Sequence, residues 1–247
     1  MTKISVTIPA YNKAEVVSKT IEETQNVFRK NKSDFEIIVM DDGSNDNTYE
    51  EALKTARKYD NVIVKRTEKN NGKGHALREA FKYTTGDLIL FLDADLDIHP
   101  RQFNVFMQHL NDHEADVVIG SKRHVQSRII FPLRRRIFSQ MYHIFTKLFF
   151  KLPVGDTQSG MKLFKREVLK KIFPKVLVKR WAFDVELLLN ANIRKFKIVE
   201  APIDLNFRRF GSAIGLKAIY NMFLDTLAIA YRLKILRYYT RKINEEI

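Results

Sequence analysis

Apolar and polar positions in the first half of the chain follow two alternating periods. Short apolar runs bounded by polar clusters predict strands over residues 4–8, 36–40, 62–65, 88–92 and 116–120. Between them, apolar residues that recur every three to four positions predict helices over 14–30, 47–58, 74–83 and 101–111. This alternation predicts an α/β fold with a doubly wound, mostly parallel sheet.

The pattern changes after about residue 121, where longer basic helices alternate with short extended pieces at 161–164 and 197–199. Two stretches, 128–151 and 214–236, are amphipathic and rich in aromatic residues. Each can bury its apolar face in the core, or it can lie at a membrane surface, where basic clusters beside apolar helical faces are typical. The pattern leaves both alternatives open.

Composition narrows the class of protein. A chain of 247 residues fits one large α/β domain, and the lack of cysteine excludes disulfides and thiolate metal sites. The net charge of +14 requires an acidic partner, either nucleic acid, an anionic membrane or a phosphorylated substrate. No nucleic-acid-binding motif accompanies the charge, so we expect no nucleic-acid partner. We also expect no secretory signal, because residues 4–8 already form a predicted strand, and no transmembrane helix, because no apolar run is long enough for one.

Asp93-Ala94-Asp95 follows directly on the apolar run 88–92. Ligands of open α/β sheets bind outside the carboxyl ends of the strands. Two carboxylates at that position can hold a hard divalent cation whose remaining positions take phosphate oxygens and water. The alternative is an acidic turn in which Asp97 caps a helix that begins near Pro100.

Three other segments carry candidate binding residues. Pro9 and Tyr11 end the first predicted strand, and Asp41 and Asp42 end the second, where carboxylates can accept hydrogen bonds from a ribose or a base. An alternative for the second segment is a glycine turn in which Asp46 or Asn47 caps the next helix. In the segment 70–76, glycines beside Lys73 open a helix, where backbone N–H groups can approach a phosphate.

These segments together resemble glycosyltransferase family 2. The resemblance rests on Pro9-x-Tyr11-Asn12, Asp41-Asp42-Gly43-Ser44, Asn71-Gly72-Lys73-Gly74 and Asp93-Ala94-Asp95 in this order, and it continues through 156–164. The later segments are similar to the polyprenyl-phosphate sugar synthases, and 180–188 is similar to the dolichyl-phosphate glucosyltransferases. The resemblance implies a GT-A fold and inverting transfer of a hexose from a nucleotide sugar to an isoprenoid phosphate.

The resemblance also assigns roles to single residues. Nucleotide-sugar binding falls to Pro9, Tyr11, Asp41, Asp42, Lys73 and Asp93. Catalysis and the divalent metal, Mg²⁺ or Mn²⁺, fall to Asp93 and Asp95, with Asp97 as a third metal ligand. The acceptor phosphate and the diphosphate fall to Lys122 or Arg123 and to Arg208, Arg209 and Ser212. Lys13 departs from the family, which usually has Glu there, and Asp184 and Glu186 serve either in structural ion pairs or in sugar recognition.

The expected partners follow from the same resemblance. The segment 180–188 favours UDP-glucose over GDP-mannose as donor, and the acceptor is a polyprenyl or dolichyl phosphate. Arg134–Arg136 and the adjoining apolar residues predict peripheral binding to an anionic membrane surface, at its cytoplasmic face. We expect one domain over 1–247, with a nucleotide-sugar half (1–120) and an acceptor and membrane half (121–247). Transfer to a soluble glycan or protein acceptor is the alternative activity, and nucleotide-sugar binding without catalysis is disfavoured by the intact Asp93 and Asp95.

Overall fold

The computed structural model describes residues 2–130, 133–206 and 216–240. The described strands are β1 (Ile4–Ala10), β2 (Phe35–Asp41), β3 (Val62–Arg66), β4 (Leu88–Leu92), β5 (Val117–Ser121), β6 (Arg128–Ile130), β7 (Met161–Lys165), β8 (Ile198–Pro202) and β9 (Asp204–Asn206). The described α-helices are α1 (Val17–Lys30), α2 (Thr48–Ala56), α3 (Lys73–Phe81), α4 (Phe103–Asp112), α5 (Leu133–Phe150), α6 (Arg166–Ile172), α7 (Phe183–Ile193) and α8 (Leu216–Lys234). Short 3-10 helices cover Pro100–Gln102 and Phe173–Lys175.

Seven of these strands form one sheet in the order β3-β2-β1-β4-β7-β5-β8, and β6 and β9 form a separate parallel pair. β7 runs antiparallel to both of its neighbours, whereas all other pairs in the large sheet are parallel. The predicted mostly parallel, doubly wound sheet is therefore confirmed. The second half of the sequence contributes β7 and β8 to this same sheet, so the two halves of the chain, 1–120 and 121–247, share one sheet.

The core lies on both faces of the sheet. Leu88, Leu90 and Leu92 of β4 belong to the apolar cluster on one face, and Ile89 and Phe91 belong to the cluster on the other. Side chains alternate between the two faces along a strand, so a strand covered on both sides must be apolar at every position. This burial explains the uninterrupted apolar run that precedes Asp93.

Helices cover the two faces. On one face α1 packs against α4, with the rings of Phe28 and Phe103 4.7 Å apart between centroids. The opposite cluster contains residues of α3, α6 and α7, with α5 and α8 on its outer side. Residues 183–191 of α7 are all buried, including three polar ones, Asp184, Glu186 and Asn190. A helix buried on every side shows no amphipathic period, and its polar side chains need internal partners.

Several predicted boundaries shift by a few residues. The helix predicted from 14 begins at Val17, because the N–H groups of Val16 and Val17 first close a turn on the carbonyl of Lys13. The proposed cap of the helix near Pro100 was wrong: His99, and not Asp97, accepts the hydrogen bond from the Arg101 N–H at 3.1 Å. Asn47 stands at the cap position of α2 and makes no capping bond with its side chain, whereas Asp46, the other predicted cap, accepts from the Thr48 N–H at 3.0 Å.

Both amphipathic stretches contain a long helix. The first divides into β6 and α5, and the second contains α8. The two helices pack together through Tyr142 and Thr226, whose hydroxyls are 2.9 Å apart, and through the rings of Phe145 and Phe223. Among the described helices, none combines the length and the apolar content that a membrane span requires.

Candidate functional site

The candidate residues lie at one edge of the sheet. Ala10 pairs with Asp41 at the ends of β1 and β2, and Leu92 at the end of β4 pairs with Met161 at the start of β7. Because β7 is antiparallel, the segment that precedes it reaches the same edge as the segments that follow β1, β2 and β4. The edge therefore brings together Tyr11, Asp42, Asp93 and Gly160, where α/β sheets bind ligands.

Asp93 and Asp95 form an acidic pair that already holds a cation of the protein. The Nζ of Lys73 lies 2.5 Å from Oδ1 of Asp93, and both side chains are about one-third exposed. Burial raises the pKa of Asp95, and the nearby carboxylate of Asp93 raises it further. Although burial opposes it, the charges of Asp93 and Asp184 raise the pKa of Lys73 above its ordinary value. Two crowded carboxylates facing a fixed ammonium group make a site that favours positive charge.

This acidic pair fits a divalent cation that a substrate helps to coordinate. In the described part of the chain, no three His, Asp or Glu side chains converge on a ready-made cation site. Mg²⁺ is commonly bound by one or two carboxylates together with substrate phosphates and water, so two carboxylates suffice. The Asp97 N–H donates to Oδ1 of Asp95 at 3.1 Å. The role of Asp97 as a third ligand stays a prediction.

Gly160 packs directly on Asp93. The Asp93 N–H donates to the Gly160 carbonyl at 3.2 Å, and a Cβ atom at position 160 would lie only 2.9 Å from the Asp93 carboxylate carbon. Real Cβ atoms do not approach other atoms that closely, so only glycine fits without displacing Asp93. Sequence reasoning did not find this contact, because it joins strands that are adjacent in the sheet and distant in the chain.

Asp41 and Asp42 are both bound within the protein. Asp41 is fully buried, accepts hydrogen bonds from Ser44, and lies 3.1 Å from Nε of Arg66. Asp42 accepts from the N–H groups of Asn71 at 3.1 Å and Gly72 at 2.6 Å. The carboxylates thus fix the two loops that frame the site, and their contacts with a nucleoside stay predictions.

The loop 70–74 differs from the expected phosphate cradle in one respect. The N–H groups of Asn71 and Gly72, which the sequence suggested for a phosphate, donate to Asp42. Gly72 has φ +107°, a conformation that favours glycine, and the loop delivers Lys73 to Asp93. The loop therefore contributes a charge at the acidic pair. Tyr11, about two-fifths exposed, remains accessible for stacking on a base.

A buried ion pair lies behind the acidic pair and was not predicted from the sequence. Nζ of Lys162 lies 2.8 Å from Oδ1 of Asp184 and donates to the Ser159 carbonyl at 2.6 Å. Burial lowers the pKa of Lys162, although Asp184 opposes the shift. Because Asp184 also acts on Lys73, alternating charges extend from Asp93 through Lys73 and Asp184 to Lys162. The available clue in the sequence was a lysine inside the otherwise apolar start of β7.

Glu186 has a structural role, one of the two alternatives that the sequence left open. Its fully buried carboxylate accepts from the N–H groups of Leu177 at 2.8 Å and Val178 at 2.6 Å. It also accepts from the Tyr239 hydroxyl and lies 3.2 Å from Nη2 of Arg232. Glu186 therefore joins the 177–180 loop to α8 and to the segment that follows it.

The predicted phosphate-binding residues are engaged elsewhere or lie outside the described residues. Nζ of Lys122 lies 2.5 Å from Oδ2 of Asp156. Arg123 donates to the Gly155 carbonyl at 2.8 Å and to Oε1 of Gln140 at 2.7 Å, which ties the end of β5 to α5. Arg208, Arg209 and Ser212 fall outside the described residues, as do the side chains of Arg134–Arg136.

Comparison with known proteins gives a consistent result. The sequence profile described as glycosyl transferase family 2 matches residues 5–173. A dolichyl-phosphate beta-glucosyltransferase of Trichomonas vaginalis is 33% identical over 246 residues, covering 94% of this chain and 75% of the relative. The Homo sapiens protein of that name is 32% identical over 216 residues, covering 82% of this chain and 67% of the relative.

Solved structures bear on the fold alone, because their sequence identity is low. Glucosyl-3-phosphoglycerate synthase from Mycobacterium tuberculosis, solved with Mn²⁺, UDP-glucose and phosphoglyceric acid, superposes with a TM-score of 0.72 at 19% identity. The match covers 98% of this chain and 81% of that one. Mannosyl-3-phosphoglycerate synthase from Rubrobacter xylanophilus gives a TM-score of 0.70 at 18% identity, covering 100% and 78%. The expected GT-A architecture is confirmed.

Proposed function

Because this chain belongs to glycosyl transferase family 2, we propose that it transfers a hexose from a nucleotide sugar to the phosphate of a polyprenyl or dolichyl lipid. The observation that carries the proposal is the acidic pair Asp93 and Asp95 at the end of β4, with Lys73 held against it. The relatives named dolichyl-phosphate beta-glucosyltransferase, aligned over most of this chain, support glucose and the lipid acceptor.

In the proposed mechanism, the residues around Asp93 bind and orient the donor diphosphate. Asp93 and Asp95 would hold Mg²⁺ or Mn²⁺, whose chemistry when bound is to neutralise charge on the departing diphosphate. Lys73 contributes a second positive charge at the same place. The acceptor phosphate is already anionic, so it can attack the anomeric carbon without a strong general base, inverting that carbon. Catalysis then comes mainly from positioning and from electrostatic stabilisation of the leaving group.

The donor is proposed to be UDP-glucose, with GDP-mannose as the next candidate. Tyr11 is exposed after the end of β1, and Asp42 follows the neighbouring strand β2, so this corner suits the base and ribose. The named relatives favour glucose. We assign the donor side to 1–120 and the acceptor side to 121–247, within one domain.

An exposed apolar surface on α5 and α8 supports a membrane-bound acceptor. On α5 it consists of Met141, Ile144 and Leu148, and on α8 of Tyr220, Leu224, Leu227 and Tyr231. These side chains are between 45% and 72% exposed. Their spacing of three or four residues places each set on one face of its helix.

The two helices pack against each other through Tyr142, Phe145 and Phe149 of α5 and Phe223, Thr226 and Lys234 of α8. The exposed residues on α5 precede these contact residues by one position, and Leu224 and Leu227 on α8 follow theirs by one, so both sets lie beside the contact between the helices. Exposed Lys147 and Lys151 add positive charge near this apolar face, which suits peripheral binding to an anionic membrane.

The proposal is tested by offering the purified protein radiolabelled nucleotide sugars together with membranes and a divalent metal. We expect label from UDP-glucose to move into the organic phase, and to do so only when polyprenyl phosphate is present. Label that moves instead to a water-soluble glycan or protein would replace the lipid acceptor with the alternative one. Release of free nucleotide diphosphate separates an active enzyme from a protein that only binds the sugar nucleotide.

A further inference from the structure

A pocket of about 340 Å³ lies between the 70–71 loop, the 177–180 loop and α8. Its polar lining consists of Asn70, Asn71, Lys179, Arg180, Asp225 and Arg232. Cavities of this size, with a few convergent polar groups, are typical of small-molecule sites. None of these side chains has a part in the donor chemistry described above, so the pocket needs its own explanation.

The pocket adjoins the donor site. Asn71 lies two residues before Lys73, and the Lys179 carbonyl accepts from the His75 N–H at 3.2 Å. Nη2 of Arg180 donates to the Asn70 carbonyl at 3.1 Å, and the Arg180 side chain packs so closely on Gly72 that no Cβ would fit there. A group bound in the pocket would therefore lie beside the loop that carries Lys73.

The other side of the pocket adjoins the exposed apolar face. Ala228 and Arg232, which line the pocket, follow Leu224 of that face by one and two turns of α8. Residues four apart are neighbours on a helix surface, so the pocket opens beside the apolar face. A molecule with an anionic head and an apolar tail could place its head in the pocket and its tail along α8.

The charges of the lining favour an anion. Lys179, Arg180 and Arg232 are positive and Asp225 is the single carboxylate among the lining residues. Arg232 is already paired with Glu186, whereas the hydrogen bond that Arg180 makes within the described part of the chain goes to a backbone carbonyl. Burial raises the pKa of Asp225, and the positive charges of Arg232 and Arg180 oppose the shift.

Resting on the proposed function, we propose that this pocket binds the phosphate head group of the lipid acceptor, with Arg180 as its principal contact. The structure favours Arg180 over Lys122 and Arg123, because those two are held by Asp156, Gly155 and Gln140. The planar guanidinium of Arg180 can donate two parallel hydrogen bonds to a phosphate.

The test measures transfer to farnesyl phosphate, a short polyprenyl phosphate, as a function of its concentration. Arg180→Gln should raise the KM for farnesyl phosphate about tenfold or more, since it removes a charge-assisted hydrogen bond. Asp225→Asn should lower that KM, because it removes a negative charge beside the phosphate. Affinity for UDP with Mn²⁺, measured separately, should change in neither variant. Arg57→Gln, at an exposed position after α2, is the matched control and should change neither quantity.

The opposite signs expected for Arg180→Gln and Asp225→Asn distinguish a contact with phosphate from a structural role, which would weaken binding in both. Ala228→Phe gives a second test, because it fills the pocket from an exposed position and should also raise the KM for farnesyl phosphate.

Three outcomes would overturn part of this account. If the KM for farnesyl phosphate is unchanged in Arg180→Gln and raised in Lys122→Gln, the pocket is not the phosphate site, and the proposed function stays intact. Transfer to phosphoglyceric acid that depends on Arg180 would reassign the pocket to a soluble phosphate ester. Failure of the wild type to use any polyprenyl phosphate would overturn the proposed function itself.

Discussion

Gly160, the residue just before the antiparallel strand β7, packs against the carboxylate of Asp93, and the contact leaves no room for a side chain at position 160. The φ of Gly160 is not among the positive values found at Gly43 and Gly72, so its backbone conformation does not itself require glycine. The lack of a Cβ atom at this position serves the placement of Asp93. A substitution here consequently tests the acidic pair without altering a charge.

Gly160→Ala should lower the rate of transfer by ~100-fold, because a displacement of about 1 Å at a reacting group can have an effect of that size. Overpacking should also reduce the free energy of unfolding by about 1–3 kcal/mol. Gly155→Ala is the matched control: a Cβ there would meet its nearest neighbour at 3.4 Å, an ordinary contact. The rate of transfer and the free energy of unfolding in urea are measured for both variants. Equal transfer rates in Gly160→Ala and Gly155→Ala would contradict the role of Gly160.

Asp95→Asn should abolish transfer and leave the fold intact, and Asp93→Asn should do nearly the same. A chelator should inactivate the wild type, and Mg²⁺ or Mn²⁺ should restore it. Because burial and Asp93 raise the pKa of Asp95, the ionised form is disfavoured in the folded state, and stability falls as pH rises through that pKa. Asp95→Asn should therefore raise the Tm at pH 7 in metal-free buffer. Undiminished transfer without metal would refute the assignment.

UDP with Mn²⁺ should raise the Tm, and GDP with Mn²⁺ should not. A ligand that binds only the folded state stabilises it by about 2.7 kcal/mol at a concentration of 100 Kd, which a thermal-shift measurement detects easily. Asp93→Asn serves as the control, since it should lose the effect of UDP together with the metal. A larger rise in Tm with GDP than with UDP would favour GDP-mannose over UDP-glucose as the donor.

The double variant Leu148→Glu and Leu227→Glu should bind anionic liposomes much more weakly than the wild type. Burying a leucine side chain contributes about 1.5–3 kcal/mol, so each replacement should lower partitioning by about tenfold or more. Val125→Glu is the control, because Val125 is 93% exposed and lies outside this apolar face. Flotation measures binding, and hydrolysis of the donor by water should be unchanged. Equal flotation of all three proteins would exclude the α5 and α8 surface.

Basic residues should add to the same interaction. Replacing Arg134, Arg135 and Arg136 together by Glu should reduce transfer to lipid far more than hydrolysis of the donor, since each basic residue near an anionic surface contributes about 1 kcal/mol. High salt should release much of the wild-type protein from the liposomes. Loss of both activities to the same extent would indicate a structural role for these arginines.

His109 should make the protein sensitive to mild acid. It lies near His113 and His124, with ring centroids 5.6 and 6.1 Å away, and its Nδ1 is buried without a hydrogen-bond partner among the described residues. Burial, assisted by those two histidines, lowers its pKa below the ordinary 6.5. A depressed pKa contributes stability above about pH 6.5 that is lost as pH falls through the folded-state value. In His109→Phe, the Tm should decline less between pH 7.5 and 5.5; an equal decline would contradict this account.

Local patterns predicted most of the fold. The uninterrupted apolar run 88–92 predicts a buried strand, and the structure shows that β4 is indeed covered on both faces. The spacing of apolar residues predicts α1 to α4 to within a few positions. The pattern did not reveal the direction of β7, because strand polarity in a sheet depends on connections and not on side-chain alternation. The short strands β6 and β9 were also missed, since three residues show no reliable period.

The sequence predicted which residues lie at the candidate site better than it predicted the contacts that they make. Asp93, Asp42 and Lys73 do lie at one edge, as the ends of parallel strands require. The pairing of Lys162 with Asp184 and the contact of Gly160 with Asp93 join residues far apart in the chain, and no local spacing encodes them. Lys122 and Arg123 illustrate the opposite case. A motif cannot reveal that Lys122 is paired with Asp156, or that Arg123 is hydrogen-bonded to Gln140.

The position of β7 between β4 and β5 constrains how this protein can fold during synthesis. Until Met161–Lys165 has left the ribosome, β4 and β5 each present an edge with unpaired backbone groups. If β4 and β5 paired directly with each other, they would occupy the position that β7 takes between them in the native sheet. Open edges of apolar strands are templates for aggregation, and pairings between distant segments form slowly. The nascent first half is therefore exposed to aggregation until β7 emerges, and a fragment that ends near residue 120 should aggregate when it is expressed alone.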